Sequence, residues 1–159
     1  MVKTEEIEKD DFLKYWRVVR FWAKAKYKLP LEDLELLLFL YSKKRFTLED
    51  FKIFNGIMNW DPPRFTRMIE EGWITPWGKS KKRLKKKYQL TYKSRKLVHS
   101  IYKKLRGEEH ISEDRRRNPI FDKKQYCYTH TMYGRIIKYM NDEFKTVREY
   151  KAIAKETEL

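Results

Sequence analysis

Apolar residues recur at helical spacing in several stretches, and the breaks between them are chemically marked. Phe12, Trp16, Val19 and Trp22 or Ala23 place one apolar stripe on a helix over residues 5–28, with Lys14, Arg17, Arg20 and Lys24 between them. Pro30 ends it, because the residue before a proline is pushed out of helical geometry. Leu34, Leu37, Leu38 and Tyr41 continue the i, i+3, i+4, i+7 pattern on a second helix over residues 31–42. Thr47 is a capping residue with Asp50 three positions on, and Phe46 and Phe51 flank it as a hydrophobic staple. This third helix is expected to be short, over residues 47–54, because Asn55-Gly56 tolerates left-handed backbone. Asp61 opens a fourth helix with Pro62 at its first position and Trp60 and Phe65 as a second staple. Gly72 follows its expected end at Glu71.

After Gly72 the period changes. Residues 73–77 (Trp-Ile-Thr-Pro-Trp) and 88–91 (Tyr-Gln-Leu-Thr) are rich in strand formers, and they bracket the basic stretch 78–87. The pattern predicts a two-stranded hairpin with a long basic tip. Thr91 then caps a helix carrying Leu97, Val98, Ile101, Tyr102 and Leu105 on one face, and Gly107 stops it. Residues 107–130 show no period, contain Pro119, and read as loop. A last amphipathic helix is expected from residue 131 to about 154, with Tyr133, Ile136, Ile137, Met140, Phe144 and Val147. The expected organisation is therefore an N-terminal helix (1–30), a central domain (31–106), an irregular loop (107–130) and a C-terminal helix (131–159). The fold class is mainly α with a small β-hairpin wing.

Composition sharpens this picture. With 159 residues, 41% of them hydrophobic and 16% aromatic, the chain can build a core. Its 38 Lys and Arg against 23 Asp and Glu give a net charge of +15, which favours a polyanionic partner: nucleic acid first, an anionic membrane second. The longest apolar run, Leu36–Tyr41, is too short to cross a bilayer, and the acidic N-terminus is no secretory signal. One cysteine, Cys127, allows no internal disulfide, so an intracellular, cytoplasmic and nucleic-acid-associated protein is expected. Enzyme machinery is not evident. Phosphate-loop glycines are missing, His99, His110 and His130 are scattered, and no ligand set of metal-site spacing occurs. No cofactor or metal is expected.

A short helix, a turn, a second helix and a basic hairpin follow one another in the order of a winged helix-turn-helix. The second helix of the pair is then the one that enters the major groove of DNA. With Phe65, Met68 and Ile69 as its core face, Pro63, Arg64, Thr66 and Arg67 face the groove, where arginine bonds guanine bidentately. The wing holds seven cations without an acid over residues 79–87: Lys79, Lys81, Lys82, Arg83, Lys85, Lys86 and Lys87. That density repels itself unless an anion relieves it, and most such contacts go to phosphate. Arg83 is the preferred minor-groove residue. Arg115, Arg116 and Arg117 form a second basic run, readable equally as extra phosphate contacts or as a solvated stretch. Trp60, Trp73 and Trp77 are able to stack on single-stranded bases, but their cap and strand positions favour the core.

The order of elements resembles the MarR-type winged-helix regulators over residues 31–106. The resemblance is carried by Thr47-Leu48-Glu49-Asp50-Phe51, by residues 61–74, and by Leu90-Thr91-Tyr92-Lys93-Ser94-Arg95-Lys96-Leu97. The last piece is similar to the family's Leu-Thr-x-Lys-Gly-x-x-Leu signature, with Ser94 where glycine is usual. The family's wing carries Asp-Arg-Arg, and counting back from Leu90 aligns Lys82, Arg83 and Leu84 with it. The resemblance places Arg83 in the minor groove and puts Lys82 where the bracing aspartate would be. It also implies a homodimer through the N- and C-terminal helices, whose interface would use Phe12, Trp16, Val19, Tyr133, Ile137, Met140 and Phe144. The expected function is thus a dimeric, non-enzymatic binder of double-stranded DNA, a transcriptional regulator. Alternatives are an assembly protein using the fold for protein contacts, or a binder of RNA or single strands.

Overall fold

The computed structural model describes residues 12–79, 82, 86–122 and 128–157. The chain is mainly helical with one small antiparallel sheet, in the order α1 (Trp16–Tyr27), α2 (Leu31–Tyr41), β1 (Phe46–Thr47), α3 (Leu48–Met58), α4 (Arg64–Glu70), β2 (Ile74–Trp77), β3 (Lys87–Leu90), α5 (Tyr92–Leu105) and α6 (Tyr128–Thr157). It divides into two units: residues 27–101, and residues 1–26 together with 102–159.

In the 27–101 unit the capping box forms as expected. Thr47 Oγ1 accepts from the Asp50 amide at 3.2 Å, and Asp50 Oδ2 accepts from the Thr47 amide at 3.0 Å. Those hydrogen bonds, with help from Lys43, hold the Asp50 carboxyl below the usual carboxylate range. Phe46 and Phe51 are both buried. Phe46 and Thr47 do more than introduce a helix, however. They pair with Tyr88 and Lys87, so the expected two-stranded hairpin is a three-stranded sheet of order β1-β3-β2.

α3 does not stop at Asn55-Gly56 but runs to Met58. Asn55 is buried there, and its side-chain amide donates to the Asp61 carbonyl, so it serves a tertiary bond rather than a left-handed turn. α4 begins at Arg64, later than expected, with no side-chain cap. Asp61 is engaged elsewhere, and Trp60 is 62% exposed, so the second staple does not form. At the start of α5, Thr91 Oγ1 accepts from the Ser94 amide, while the buried Ser94 hydroxyl donates to the Trp73 carbonyl at 2.6 Å. Ser94 therefore ties α5 to the beginning of the hairpin.

In the second unit the two terminal helices satisfy each other. Tyr15 packs edge-on against Phe144 at 5.5 Å, and Phe21 stacks on Tyr133 at 4.4 Å. Lys14 pairs with Glu143. Val19, Tyr133, Ile137, Met140 and Phe144 are buried within the single chain, and Phe12 and Trp16 are half-buried. These residues were expected to face a second copy. Ring contacts between the two terminal segments account for part of that burial within one chain.

The stretch read as loop is also partly structured. A single 3-10 turn spans Pro119–Phe121, capped by the Asn118 side chain, and the Asn141 amide donates to the Ile111 carbonyl. α6 starts at Tyr128, before the expected residue 131, and extends to Thr157. Gly107, at φ +77°, sits against the Phe144 ring, where a Cβ would approach to 2.4 Å. Lys104 is buried over the Trp22 ring and bonded to Glu109, and burial pushes its pKa down from the ordinary lysine value.

Candidate nucleic-acid interface

The sheet register decides which side chains share a face. Side chains directly opposite in an antiparallel pair lie on the same side, and neighbours along a strand alternate. Phe46, Tyr88, Ile74 and Leu90 are buried, which defines the core side. Thr47, Lys87 and Trp77 pair across the three strands, and Gln89 pairs with Thr75, on the other side. That outward face is polar or exposed throughout: Lys87 and Trp77 are exposed, and Thr47, Thr75 and Gln89 are half-buried.

The third strand adds cations that the hairpin reading did not contain. Lys43, Lys44 and Arg45 immediately precede β1 and are all exposed. Because Thr47 lies opposite Lys87, this turn is carried to the base of the β2–β3 hairpin. Arg45 lies over the Trp77 ring with its guanidinium carbon 3.5 Å from the ring centre. Lys43 shares its charge with Asp50 at 3.1 Å. In the β2–β3 hairpin itself Lys79, Lys82 and Lys87 are exposed, and Lys86 is half-buried 5.8 Å from the Tyr88 ring centre. Lys81, Arg83 and Lys85 lie outside the described residues. The Lys43–Arg45 turn was missed because β1 is two residues long, too short to register as a strand in a pattern.

The arginines expected in the major groove are elsewhere. Arg64 is 3% exposed, and its Nε donates to Asp33 Oδ1 at 2.8 Å. Its Nη1 donates to the Asn55 side chain and to the Asn59 carbonyl. Arg67 is partly exposed, but its Nη2 donates to both oxygens of Asp33 and to Asp61. Its hydrogen bonds to Asp33 raise its pKa further above the ordinary arginine value. The physical reason is Asp33. This carboxylate is 1% exposed on α2, and a buried charge requires a charged, hydrogen-bonding partner. Both arginines instead line an open pocket of about 700 Å³ with Lys28, Trp60, Asp61 and Glu71. Of the four residues expected in the groove, Pro63 and Thr66 are exposed.

Arg115, Arg116 and Arg117 are exposed in the other unit, where Asp114 lies 3.7 Å from Arg117 and accepts from the Arg116 amide. Trp73 is buried as expected, whereas Trp60 and Trp77 are not. Among the described residues, no group of three or more His, Cys, Asp or Glu side chains is placed to hold a metal, and no helix is long and apolar enough to cross a membrane. No protein-family model, curated protein or solved structure matches the chain.

Proposed function

We propose that residues 27–101 form a winged-helix module that binds double-stranded DNA, and that it does so chiefly through phosphates rather than through bases. The order α2-β1-α3-α4-β2-β3, with β3 central in the sheet, supports the winged-helix reading. The observation that carries the DNA reading is the shared outward face of Thr47, Lys87 and Trp77. It joins the Lys43–Arg45 turn to the lysines of the wing, so two separated basic runs act as one. Phosphate contact gives affinity and register, while base contact gives sequence choice. With Arg64 and Arg67 committed to Asp33, the outward side of α4 offers Thr66 and Pro63 and little for guanine. The module in this reading is a non-enzymatic DNA-binding protein with weak sequence preference.

Binding to a random-sequence duplex across a salt series tests it. Log affinity is expected to fall linearly with log salt, at about 0.9 of slope for each phosphate neutralised. Absence of binding at low salt overturns the reading.

An assembly role is favoured by a different observation. Ile53 and Ile57 lie one turn apart on α3 and are 60% and 69% exposed, and Trp60 follows at 62%. Changing Ile53 and Ile57 to lysine separates the two roles: it dissolves an oligomer seen by sedimentation if the patch is an interface, and it leaves phosphate-driven binding in place.

A further inference from the structure

We propose that Trp77, backed by Arg45, is a stacking platform for an unpaired base at the edge of bound nucleic acid. The inference rests on the nucleic-acid reading above and adds to it a preference for duplex with a single-stranded extension.

Trp77 is 37% exposed at the end of β2, directly before the turn glycine Gly78. Its surroundings on the outward face are Lys87 opposite, Thr47 beyond it, and Thr75 and Gln89 further along the hairpin. An exposed indole set in an apolar patch suits a protein partner. Among the described residues of the outward face, this one is bordered by hydroxyls, an amide and cations, which is the combination that a nucleotide meets on a single-strand-binding surface. Bases offer a π-face whatever their sequence, and the flanking phosphates need positive charge.

Arg45 supplies both support and charge. Its guanidinium lies 3.5 Å from the ring centre, in a cation–π contact that holds the ring's orientation. The guanidinium places a positive charge beside the ring for a neighbouring phosphate. In this proposal the base stacks on the face of the ring opposite Arg45. Trp60, although more exposed, has a different setting, since it follows the apolar pair Ile53 and Ile57 and lines a pocket whose arginines are committed to Asp33.

The test compares a short blunt duplex with the same duplex carrying a single-stranded thymidine extension, using the full chain and its Trp77→Ala and Trp77→Phe variants. The native protein is expected to bind the extended duplex about tenfold more tightly than the blunt one. Trp77→Ala is expected to abolish that difference, read as the ratio of the variant's own affinities for the two duplexes. Trp77→Phe, which keeps a π-face and is the safer variant for folding, retains part of the preference. A native protein that binds both duplexes equally overturns the proposal while leaving the phosphate-binding reading intact. So does a Trp77→Ala variant that keeps the preference. Failure to bind either duplex overturns both.

Discussion

Arg64 and Lys87 carry the same charge in the same 27–101 unit, yet their surroundings are opposite. Arg64 is almost fully enclosed, held by Asp33, Asn55 and the Asn59 carbonyl, so its charge is spent on joining α2, α3 and α4. Lys87 stands on the outward face of a sheet beside other cations, so its charge is available to a ligand. The difference is not one of residue type or local sequence. It follows from one buried carboxylate, Asp33, which lies 31 positions away from Arg64 in the chain. A cation near such an acid becomes structure, whereas a cation on a self-repelling hairpin remains available.

The largest effect expected from breaking this contrast is on stability. Arg64→Met leaves the buried Asp33 short of its innermost partner and is expected to cost about 3–5 kcal/mol in denaturant unfolding. Adding Asp33→Leu is expected to recover part of that loss, because the buried carboxylate leaves together with its arginine, while Arg67 keeps Asp61 as a partner. If Arg64→Met instead folds as stably as the native chain and loses DNA affinity, Arg64 is a DNA contact after all.

The wing is expected to behave in the opposite way. Lys79→Gln, Lys82→Gln and Lys87→Gln together are expected to shift stability by no more than about 0.5 kcal/mol. They are expected to lower the salt slope of DNA binding by about 2.7 if each lysine meets one phosphate. An unchanged slope would remove these lysines from the interface.

A smaller effect concerns the cap that launches α3 next to the basic turn. Thr47→Ala is expected to cost about 1 kcal/mol at neutral pH. Asp50 is held below its ordinary value of 3.8, so its contribution is present above that pH and is lost as pH falls through its lowered value. The difference between the native chain and Asp50→Asn should therefore shrink in acid, which pH-dependent unfolding measures.

Lys104, in the other unit, is buried with one carboxylate and is an intermediate case between Arg64 and Lys87. Its pKa is lowered mainly by burial, so the unfolded chain holds the proton more tightly. Stability is expected to rise as pH climbs through the lowered value towards 10.5, and Lys104→Met is expected to flatten that rise. The change in stability near neutral pH should stay within about 1 kcal/mol.

Much of the architecture was legible from local pattern. The helices, the stops at Pro30, Gly72 and Gly107, and the capping box at Thr47 all depend on residues within a turn or two of one another. The basic hairpin was legible for the same reason, since charge density needs no partner to be seen. Two of the misjudged elements depend on tertiary partners: β1, which pairs with β3, and the end of α3, where Asn55 is recruited by Asp61 and Arg64; the start of α4 was misjudged as well, although its signals were local.

The candidate site divides along the same line. The sequence by itself determined that this chain is mainly helical, strongly basic, and armed with a lysine-rich hairpin, because propensity, period and charge are local quantities. Only the tertiary structure decided which cations are available and which aromatics are exposed. It placed Arg64 and Arg67 on Asp33, brought Arg45 over Trp77, and closed the terminal helices on each other within one chain. Burial and ion pairing depend on what the rest of the chain brings alongside, and that information does not reside in any one segment.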